Sequence, residues 1–289
     1  MSAPAPTKLS FRDVWLSFPG SRGRASVPVL EGVGFDVAAG EFVCLVGPSG
    51  CGKSTLLNAA GGFARPDRGE VRVDGELVRE PDPRRIFIFQ EGAAFPWMTV
   101  AENVGFGLSR LPAPERARVT QEYVELVGLH GFERAYPREL SGGMRQRVEI
   151  ARALAAGPDV LYMDEPFGAL DYLTRFQLRA ELLRLWQLRR QTILFVTHDV
   201  EEAVQLADRV VVLSKRPARV LEEVRVDLPR PRPPGSPESL AVRDRILERI
   251  GFVDLFRPAA TRDGGSAAAT DPPSTPPTAR PGTAHPQEA

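Results

Sequence analysis

Residues 41–55 read EFVCLVGPSGCGKST, and this stretch decides the fold. Residues 41–46 are a short apolar run bounded by Gly40 and Gly47, which predicts a buried β-strand. Residues 47–55 match the pattern G-x-x-x-x-G-K-[ST], and helix-forming residues follow them. A strand, a glycine-rich loop and a helix in this order bind phosphate, because the loop N–H groups and the positive end of the helix face the same anion.

The loop at residues 47–55 predicts a nucleotide site. Lys53 is placed to hold the β- and γ-phosphates, and the Ser54 hydroxyl is placed to ligate Mg²⁺. A glycine-rich turn that binds nothing is the alternative, and the strand before the loop and the helix after it disfavour that alternative. Cys51 is most simply a small filler at a variable position. The residues expected to bind the nucleotide here are Gly47, Pro48, Ser49, Gly50, Cys51, Gly52, Lys53, Ser54 and Thr55.

Further short apolar runs alternate with helical segments along the chain. Continuous apolar strands, unlike strands with an alternating pattern, predict a largely parallel sheet that is covered on both faces. The predicted strands of this sheet span residues 41–46, 85–89, 160–163, 192–196 and 209–213.

The chain divides into segments of different character. Between residues 91 and 157 helical patterns replace strand runs, so we expect a helical subdomain inserted into the sheet domain. A proline-rich linker follows residue 228, and a short amphipathic helix beyond it has Leu240, Leu247 and Ile250 near one face. The predicted divisions are a catalytic core of residues 8–90 with 158–228, a helical subdomain of 91–157, a linker and C-terminal helix of 229–257, and a disordered tail of 258–289.

Composition excludes several classes of protein. The 289 residues include 37 basic and 37 acidic side chains, whereas nucleic-acid-binding proteins usually carry a basic excess. Cys44 and Cys51 form no CxxC pair, which argues against a disulfide framework and against a zinc site. The N-terminus lacks an apolar signal-peptide core, and no stretch approaches the roughly 20 apolar residues that span a bilayer. We expect a cytoplasmic chain.

Polar residues follow three of the predicted strands. Asp164 and Glu165 close an apolar strand, and because consecutive strand residues point to opposite faces, we assign Mg²⁺ support to Asp164 and polarisation of the attacking water to Glu165. His198 follows another strand, at the sheet edge where open α/β folds bind ligands. Gln90 closes a third strand, and its amide can reach Mg²⁺ or water. Helix capping by the acids and a structural role for His198 are the alternatives.

Residues 140–147 read LSGGMRQR, a stretch that we call the signature segment. A hydroxyl and two glycines at a helix N-terminus form a second site suited to an anion, although a plain helix cap would need no more. The segment resembles the signature sequence of ATP-binding cassette (ABC) ATPases, and Met144 is a variant that many importer ATPases share. The phosphate loop, Gln90, the signature segment, Asp164 with Glu165, the turn at 168–171 and His198 follow in the order of that family, over about residues 8–228.

The resemblance implies an α/β P-loop NTPase fold with a mainly parallel sheet core, an N-terminal antiparallel β region and an inserted helical subdomain. It also implies an ATPase of which two copies face each other head to tail, so that ATP on one phosphate loop is covered by Ser141, Gly142 and Gly143 of the other copy. In this family the equivalents of His198 and Asp171 contact the γ-phosphate and line the dimer seam. An aromatic ring stacks on adenine, for which Phe18 is the first candidate and Trp15 the alternative.

Further sequence matches indicate one group within the ABC ATPase family. Residues 89–100 read FQEGAAFPWMTV and resemble the segment of nitrate/sulfonate/taurine-type importer ATPases. That resemblance implies a peripheral subunit on the cytoplasmic face of the inner membrane, bound to integral membrane permease subunits and indirectly to a solute-binding protein, with no nucleic acid. Residues 95–97 are candidates for permease docking or for the core of the helical insert. One alternative is an ABC importer of another small solute, such as a vitamin precursor. A second alternative is an ABC ATPase that acts on nucleic acid, which the neutral net charge of the chain disfavours.

Overall fold

The computed structural model describes residues 5–20, 25–89, 94–168 and 170–251, which form two sheets and the helices around them. The larger sheet has six strands in the order β10-β9-β3-β8-β7-β6, and every neighbouring pair is parallel except β9 with β10. This confirms the predicted mainly parallel core. Its strands are β3 (Phe42–Val46), β6 (Arg85–Ile88), β7 (Val160–Asp164), β8 (Ile193–Val196), β9 (Arg209–Leu213) and β10 (Val220–Arg225).

Strand β3 lies inside this sheet and is fully buried on both faces. Phe42, Cys44 and Val46 belong to one hydrophobic core, whereas Val43 and Leu45 belong to another on the opposite face. Because side chains alternate along a strand, a strand that is covered on both sides has no polar position. The continuous apolar run in the sequence is therefore explained by the two cores.

The smaller sheet is entirely antiparallel, with the order β2-β1-β4-β5. It confirms the expected N-terminal antiparallel β region. It packs over helix α1 (Lys53–Gly61) in the second core, and a bridge between Leu30 and Ala218 connects the two sheets at one corner. The strands of this sheet are β1 (Thr7–Phe18), β2 (Val27–Ala38), β4 (Arg68–Val73) and β5 (Glu76–Leu77).

Helices cover the larger sheet, and three of them lie between β6 and β7 in the chain. Where the expected helical subdomain lies, the described residues contain helices and no named strand; the subdomain boundaries themselves stay predictions. Among the described residues, no helix combines the length and apolar character needed to cross a membrane. The α-helices are α1 (Lys53–Gly61), α2 (Val100–Gly105), α3 (Ala113–Leu126), α4 (Gly142–Ala155), α5 (Tyr172–Arg189), α6 (Val200–Leu206) and α7 (Pro237–Ile250).

Helix α7 forms where the amphipathic pattern predicted a helix, but its buried face differs from the expected one. Ile246, which the sequence pattern did not single out, is fully buried, and Leu247 and Ile250 pack partly against the same core. Leu240 is only half-buried and is not part of that packing. Leu240 and Ile246 are six positions apart in the sequence, which places them about 120° apart around the helix axis, so the helix is rotated relative to the predicted face.

The buried guanidinium of Arg232 holds the segment that leads into α7. It donates hydrogen bonds to four backbone carbonyls, and it is 6% exposed. Burial, with a smaller contribution from Arg230, lowers the pKa of Arg232 to about 10. One side chain thus satisfies carbonyls that would otherwise be buried without a donor. These carbonyls belong to Val204, Ala207, Val226 and Leu228.

We expect Arg232→Ala to lower the free energy of unfolding by about 2 kcal/mol, because the four buried carbonyls would lose their hydrogen-bond donor. The measurement is chemical denaturation followed by circular dichroism. Arg225→Ala removes an exposed arginine from β10 and serves as the control, with little change expected. Equal midpoints for the two variants would contradict a structural role for Arg232.

Candidate functional site

The phosphate loop joins the end of β3 to the start of α1. Gly52 precedes the helix at a φ of 123°, and a Cβ atom there would lie 2.9 Å from the Val29 side chain, so only glycine fits. Lys53 is the first residue of α1 and is 6% exposed. Its ammonium donates to the carbonyls of Gly47 (3.0 Å) and Pro48 (3.2 Å), which places the positive charge over the loop. This geometry suits a bound polyphosphate.

Cys51 packs inside the loop and is almost fully buried. Burial raises the pKa of its thiol, and nearby Lys53 offsets part of that effect. A protonated, buried thiol is a poor nucleophile, so the structure supports its interpretation as a packing residue.

Asp164 and Ser54 form the part of the site that is suited to a cation. Burial raises the pKa of the Asp164 carboxyl; a hydrogen bond with the Ser54 side chain opposes the rise, and neighbouring Glu165 adds to it. A cation beside Asp164 would relieve this cost of burying a charge. Among the described residues, no group of three or more His, Cys, Asp or Glu side chains could hold a metal ion. Asp164 and Ser54 offer oxygen atoms, and Mg²⁺ is usually held by one or two protein oxygens together with phosphates and water.

Glu165 departs from the expected strand geometry. Strand β7 ends at Asp164, and Glu165 has a φ of +45°, in the left-handed region that costs a residue with a side chain of order 1 kcal/mol or more. Its N–H donates to the Val196 carbonyl at 2.9 Å, which anchors the turn. The two carboxylates are therefore separated by a backbone turn, and the explanation by strand alternation was wrong.

The turn brings Glu165 to His198. The Glu165 carboxylate and the Nδ1 atom of His198 are 2.9 Å apart, and the imidazole is mostly exposed. With the carboxylate ionised, Nδ1 carries the proton and donates, so Nε2 is the ring atom left for a ligand. The sequence predicted both residues but gave no sign that they touch each other.

A buried ion-pair network supports the loop that carries His198. Arg179 on α5 pairs with Asp199 at 2.6 Å and with Glu202 at 2.7 Å. Burial alone would raise the pKa of Asp199, but its bond with Arg179 outweighs this and lowers the pKa. The backbone N–H of Thr197 donates to the Leu45 carbonyl at the end of β3. His198 is thus held beside the phosphate loop. Sequence inspection missed this network because Arg179 lies 20 residues from Asp199 and 23 residues from Glu202.

The signature segment lies on a different helix from the phosphate loop. Exposed Ser141 caps α4, with its Oγ accepting from the Met144 N–H at 3.2 Å. A Cβ atom on Gly143 would lie 2.6 Å from the Thr174 side chain, which accounts for glycine there. Helix α4 packs mainly on α2 and α3 and also on α5 and β6, whereas α1 packs on strands of both sheets.

Asp171 caps the neighbouring helix α5. Its carboxylate accepts from the Thr174 N–H at 3.0 Å, and hydrogen bonding to Thr174 lowers the pKa of the carboxyl. Gly142 lies near Leu170, since a Cβ atom added to the glycine would be 3.7 Å from the leucine side chain. The starts of α4 and α5 therefore share one surface.

The two candidate adenine-stacking residues differ in how exposed their rings are and in the contacts that the rings already make. Phe18 ends β1, is 45% exposed and pairs with Val27 on β2. Val29, two residues further along β2, contacts the phosphate loop at Gly52, so Phe18 projects from strands beside the loop. Trp15 instead donates its indole N–H to Asp13 and has the Arg68 guanidinium over its ring. The greater exposure of its ring favours Phe18 as the stacking residue.

Gln90 lies outside the described residues, so its assignment stays a prediction.

Helix α7 lies next to the phosphate loop. Arg243, Leu247 and Ile250 line a depression of about 400 Å³ together with the loop and the residues that follow β8. No sequence signal pointed to this position, because an amphipathic pattern identifies a buried face without identifying what it faces.

Comparison with known proteins agrees with this geometry. The protein-family model described as "ABC transporter" matches residues 30–168. A putative ATP-binding protein of Brucella abortus is 48% identical over 248 residues, covering 84% of this chain and 93% of the relative. An aliphatic sulfonates import ATP-binding protein of Bacillus cereus is 44% identical over 237 residues, covering 82% of this chain and 94% of the relative.

A solved structure shows the same architecture. It is the dimeric, post-hydrolysis state of an ATP-binding cassette bound to ADP and phosphate, and it superposes with a TM-score of 0.66 at 30% identity, covering 76% of this chain and 99% of that one. The family model, the relatives that align over most of this chain and the shared fold all support one conclusion. The chain belongs to the ABC transporter family, as an ATP-hydrolysing subunit.

Proposed function

We propose that the chain powers an importer: two copies bind two Mg-ATP between them and drive a separate permease that takes up a small solute of the sulfonate type. The observation that carries the proposal is the presence of two helix N-termini suited to anions, at Lys53 and at Ser141, on helices that pack mainly against different elements. The comparison structure is a dimer with ADP and phosphate, which supports the same arrangement here.

Within one copy, the residues of the phosphate loop bind the triphosphate. Lys53 neutralises the β- and γ-phosphates, and Ser54 with Asp164 would hold Mg²⁺, which supplies charge stabilisation at the oxygens of the transferred group. Thr55 and the loop N–H groups orient the same phosphates.

Glu165 is the group that polarises the attacking water. Its carboxylate is oriented by His198, whose Nε2 atom then faces the γ-phosphate. The left-handed turn at Glu165 separates this carboxylate from Asp164, so that one acid serves the cation and the other the water. Gln90 would sense the same phosphate from the edge of the helical insert.

The second copy completes the site. Ser141, Gly142 and Gly143 present a hydroxyl and free N–H groups at the N-terminus of α4, and these favour the γ-phosphate of the partner's nucleotide. Asp171 lies on the same surface and would line the seam. The contact exists only while the γ-phosphate is present, which couples closure of the dimer to ATP and its opening to hydrolysis.

The turn formed by residues 95–97, which precedes α2, is the proposed permease-docking surface. Trp97 is 69% exposed and stacks on Phe95, while the Arg152 guanidinium of α4 covers the Phe95 ring at 4.6 Å. The buried Asn103 side chain accepts from the Phe95 N–H and donates to the carbonyls of Phe95, Met98 and Thr99. This turn is thus fixed to the helix that carries Ser141, so the two move together. Exposed aromatic residues on a rigid base suit an interface anchor.

Cargo is proposed from the sulfonate importer relatives, which include proteins from several Bacillus species. The solute would contact the permease and an external solute-binding protein. Isothermal titration of the solute-binding protein encoded with this chain should show binding of aliphatic sulfonates. Binding of an unrelated vitamin precursor, with no binding of sulfonates, would favour the alternative cargo and leave the ATPase assignment intact.

Glu165→Gln should keep ATP binding and lose at least about 100-fold in hydrolysis, because the amide cannot polarise the water. ATP should then hold the variant as a stable dimer in size-exclusion chromatography. Lys53→Ala, which lacks the phosphate-binding ammonium, is the comparison that should fail to bind nucleotide. Near-normal turnover by Glu165→Gln would remove Glu165 from its proposed role.

Trp97→Ala should reduce co-purification of the tagged chain with its membrane permease about tenfold, since loss of a central aromatic anchor typically has an effect of this size. Leu221→Ala changes an exposed apolar residue on β10 and serves as the matched control. Equal recovery of permease with both variants would place Trp97 outside the docking surface. An unchanged thermal midpoint would show that either result does not come from misfolding.

A further inference from the structure

The turn that begins at Glu165 is held at both of its ends. On the strand side, the Glu165 N–H donates to the Val196 carbonyl, and on the far side the Gly168 N–H donates back to the Glu165 carbonyl at 3.0 Å. Between them the Phe167 side chain is buried. A residue in the left-handed region, such as Glu165, persists only where its surroundings fix it, so a group that holds Gly168 also holds the backbone of Glu165.

The Arg175 side chain holds the far side of this turn. Arg175 lies near the start of α5, and its Nη2 atom donates to the Leu170 carbonyl at 3.0 Å and to the Gly168 carbonyl at 3.5 Å. Long side chains on a helix point back toward its N-terminus, which brings this guanidinium to the turn that precedes the helix. Hydrogen bonds from a charged donor are stronger than neutral ones, so the turn is tied firmly to α5.

The same guanidinium lies close to the pair formed by Glu165 and His198. Arg175, Glu165 and His198 line one small cavity of about 10 Å³, which is on the order of the size of one water molecule. The three side chains are therefore neighbours, although none of the described hydrogen bonds joins Arg175 to the other two.

The charge of Arg175 is directed at the backbone and not at an acid. Asp199 and Glu202 line the same cavity, but both carboxylates pair with Arg179. Within the described part of the chain no carboxylate forms an ion pair with Arg175, and its Nε atom is buried without a hydrogen-bond partner. The side-chain hydrogen bonds that Arg175 does make are those to the turn.

The start of α5 does not depend on Arg175 for its cap. The Asp171 carboxylate accepts from the Thr174 N–H at 3.0 Å, which caps the helix and fixes Asp171 in place. The carbonyls that Arg175 holds belong to Gly168 and Leu170, on the side of the turn that leads back to Glu165. Loss of Arg175 should therefore loosen the Glu165 side more than the capped side.

We propose that Arg175 is a positioning residue for ATP hydrolysis. By holding the Gly168 and Leu170 carbonyls it fixes the left-handed turn, and with it the Glu165 carboxylate beside His198. Without this hold the backbone of Glu165 relaxes toward an unstrained conformation and its carboxylate leaves the attacking water. The inference rests on the proposed role of Glu165 and adds a residue that acts through it.

Arg175→Met keeps the apolar stem of the side chain and removes its donors, so the variant should fold and lose the hold on the turn. We expect kcat for ATP hydrolysis to fall about tenfold while KM for ATP changes less than about twofold, because the phosphate loop lies on another segment. Arg184→Met is the matched control, since Arg184 lies further along α5 and donates to the Leu126 carbonyl. Rates are compared below the thermal midpoints of the variants. An unchanged kcat, or a change confined to KM, would overturn the inference.

A second measurement asks whether Arg175 acts through Glu165. In a Glu165→Gln background, Arg175→Met should lower the single-turnover rate of hydrolysis by no more than about twofold, because a carboxylate that is already lost cannot be misplaced. A merely structural arginine would lower the rate equally in both backgrounds. A further loss of about tenfold in the Glu165→Gln background would therefore contradict action through Glu165.

The same variants separate this inference from the proposed function. Near-normal turnover by Glu165→Gln would refute the proposed role of Glu165, whatever Arg175 does. A large loss in Glu165→Gln with normal turnover in Arg175→Met would overturn only the role of Arg175. ATP should hold Glu165→Gln as a dimer with or without Arg175→Met. Loss of that dimer would place the effect of Arg175 at Asp171 and the dimer seam, against the inference.

Discussion

The parallel hydrogen-bond register of β3, β7 and β8 is the constraint on which the site depends. The ends of these strands are tied by the bond from Thr197 to Leu45 and by the bond from Glu165 to Val196. Each bond places the residue after one strand beside the last residues of the next. These backbone bonds bring the phosphate loop, the two carboxylates and His198 to one edge of the sheet. Contacts between the side chains themselves are not needed to hold them there. The buried pairs of Arg179 then fix the His198 loop in place.

Local pattern and glycine spacing were enough to predict the parallel sheet, the phosphate loop and the Ser141 cap, because each depends on residues close in sequence. The turn at Glu165 could not be predicted in this way. Its left-handed backbone is imposed by a bond to Val196, which belongs to another strand. The contact between Glu165 and His198, and the rotation of α7 about Ile246, likewise arise from packing between distant segments. The strand alternation from which we assigned different roles to Asp164 and Glu165 is absent, because the strand ends at Asp164 and Glu165 lies in the left-handed turn.

Two features of the chain support the proposal that a pair of copies hydrolyses ATP. The residues for phosphate, cation and water gather around the ends of the parallel strands, while Ser141 and its glycines cap a helix that packs among other helices. The helix of Ser141 also holds the turn of Trp97 through Arg152 and Phe95. A movement that brings Ser141 to a partner's nucleotide therefore carries the proposed permease-docking surface with it, which is the mechanical requirement for coupling hydrolysis to transport.

The most direct test of a site shared between copies is the ATPase rate per chain as a function of chain concentration, at saturating Mg-ATP and without permease. An enzyme assembled from two half-sites should lose specific activity on dilution, with the rate per chain falling in proportion to the dimer fraction measured in parallel by light scattering. A rate per chain that stays constant from concentrated to very dilute protein, while light scattering reports monomer, would mean that one copy hydrolyses ATP alone and would contradict the account.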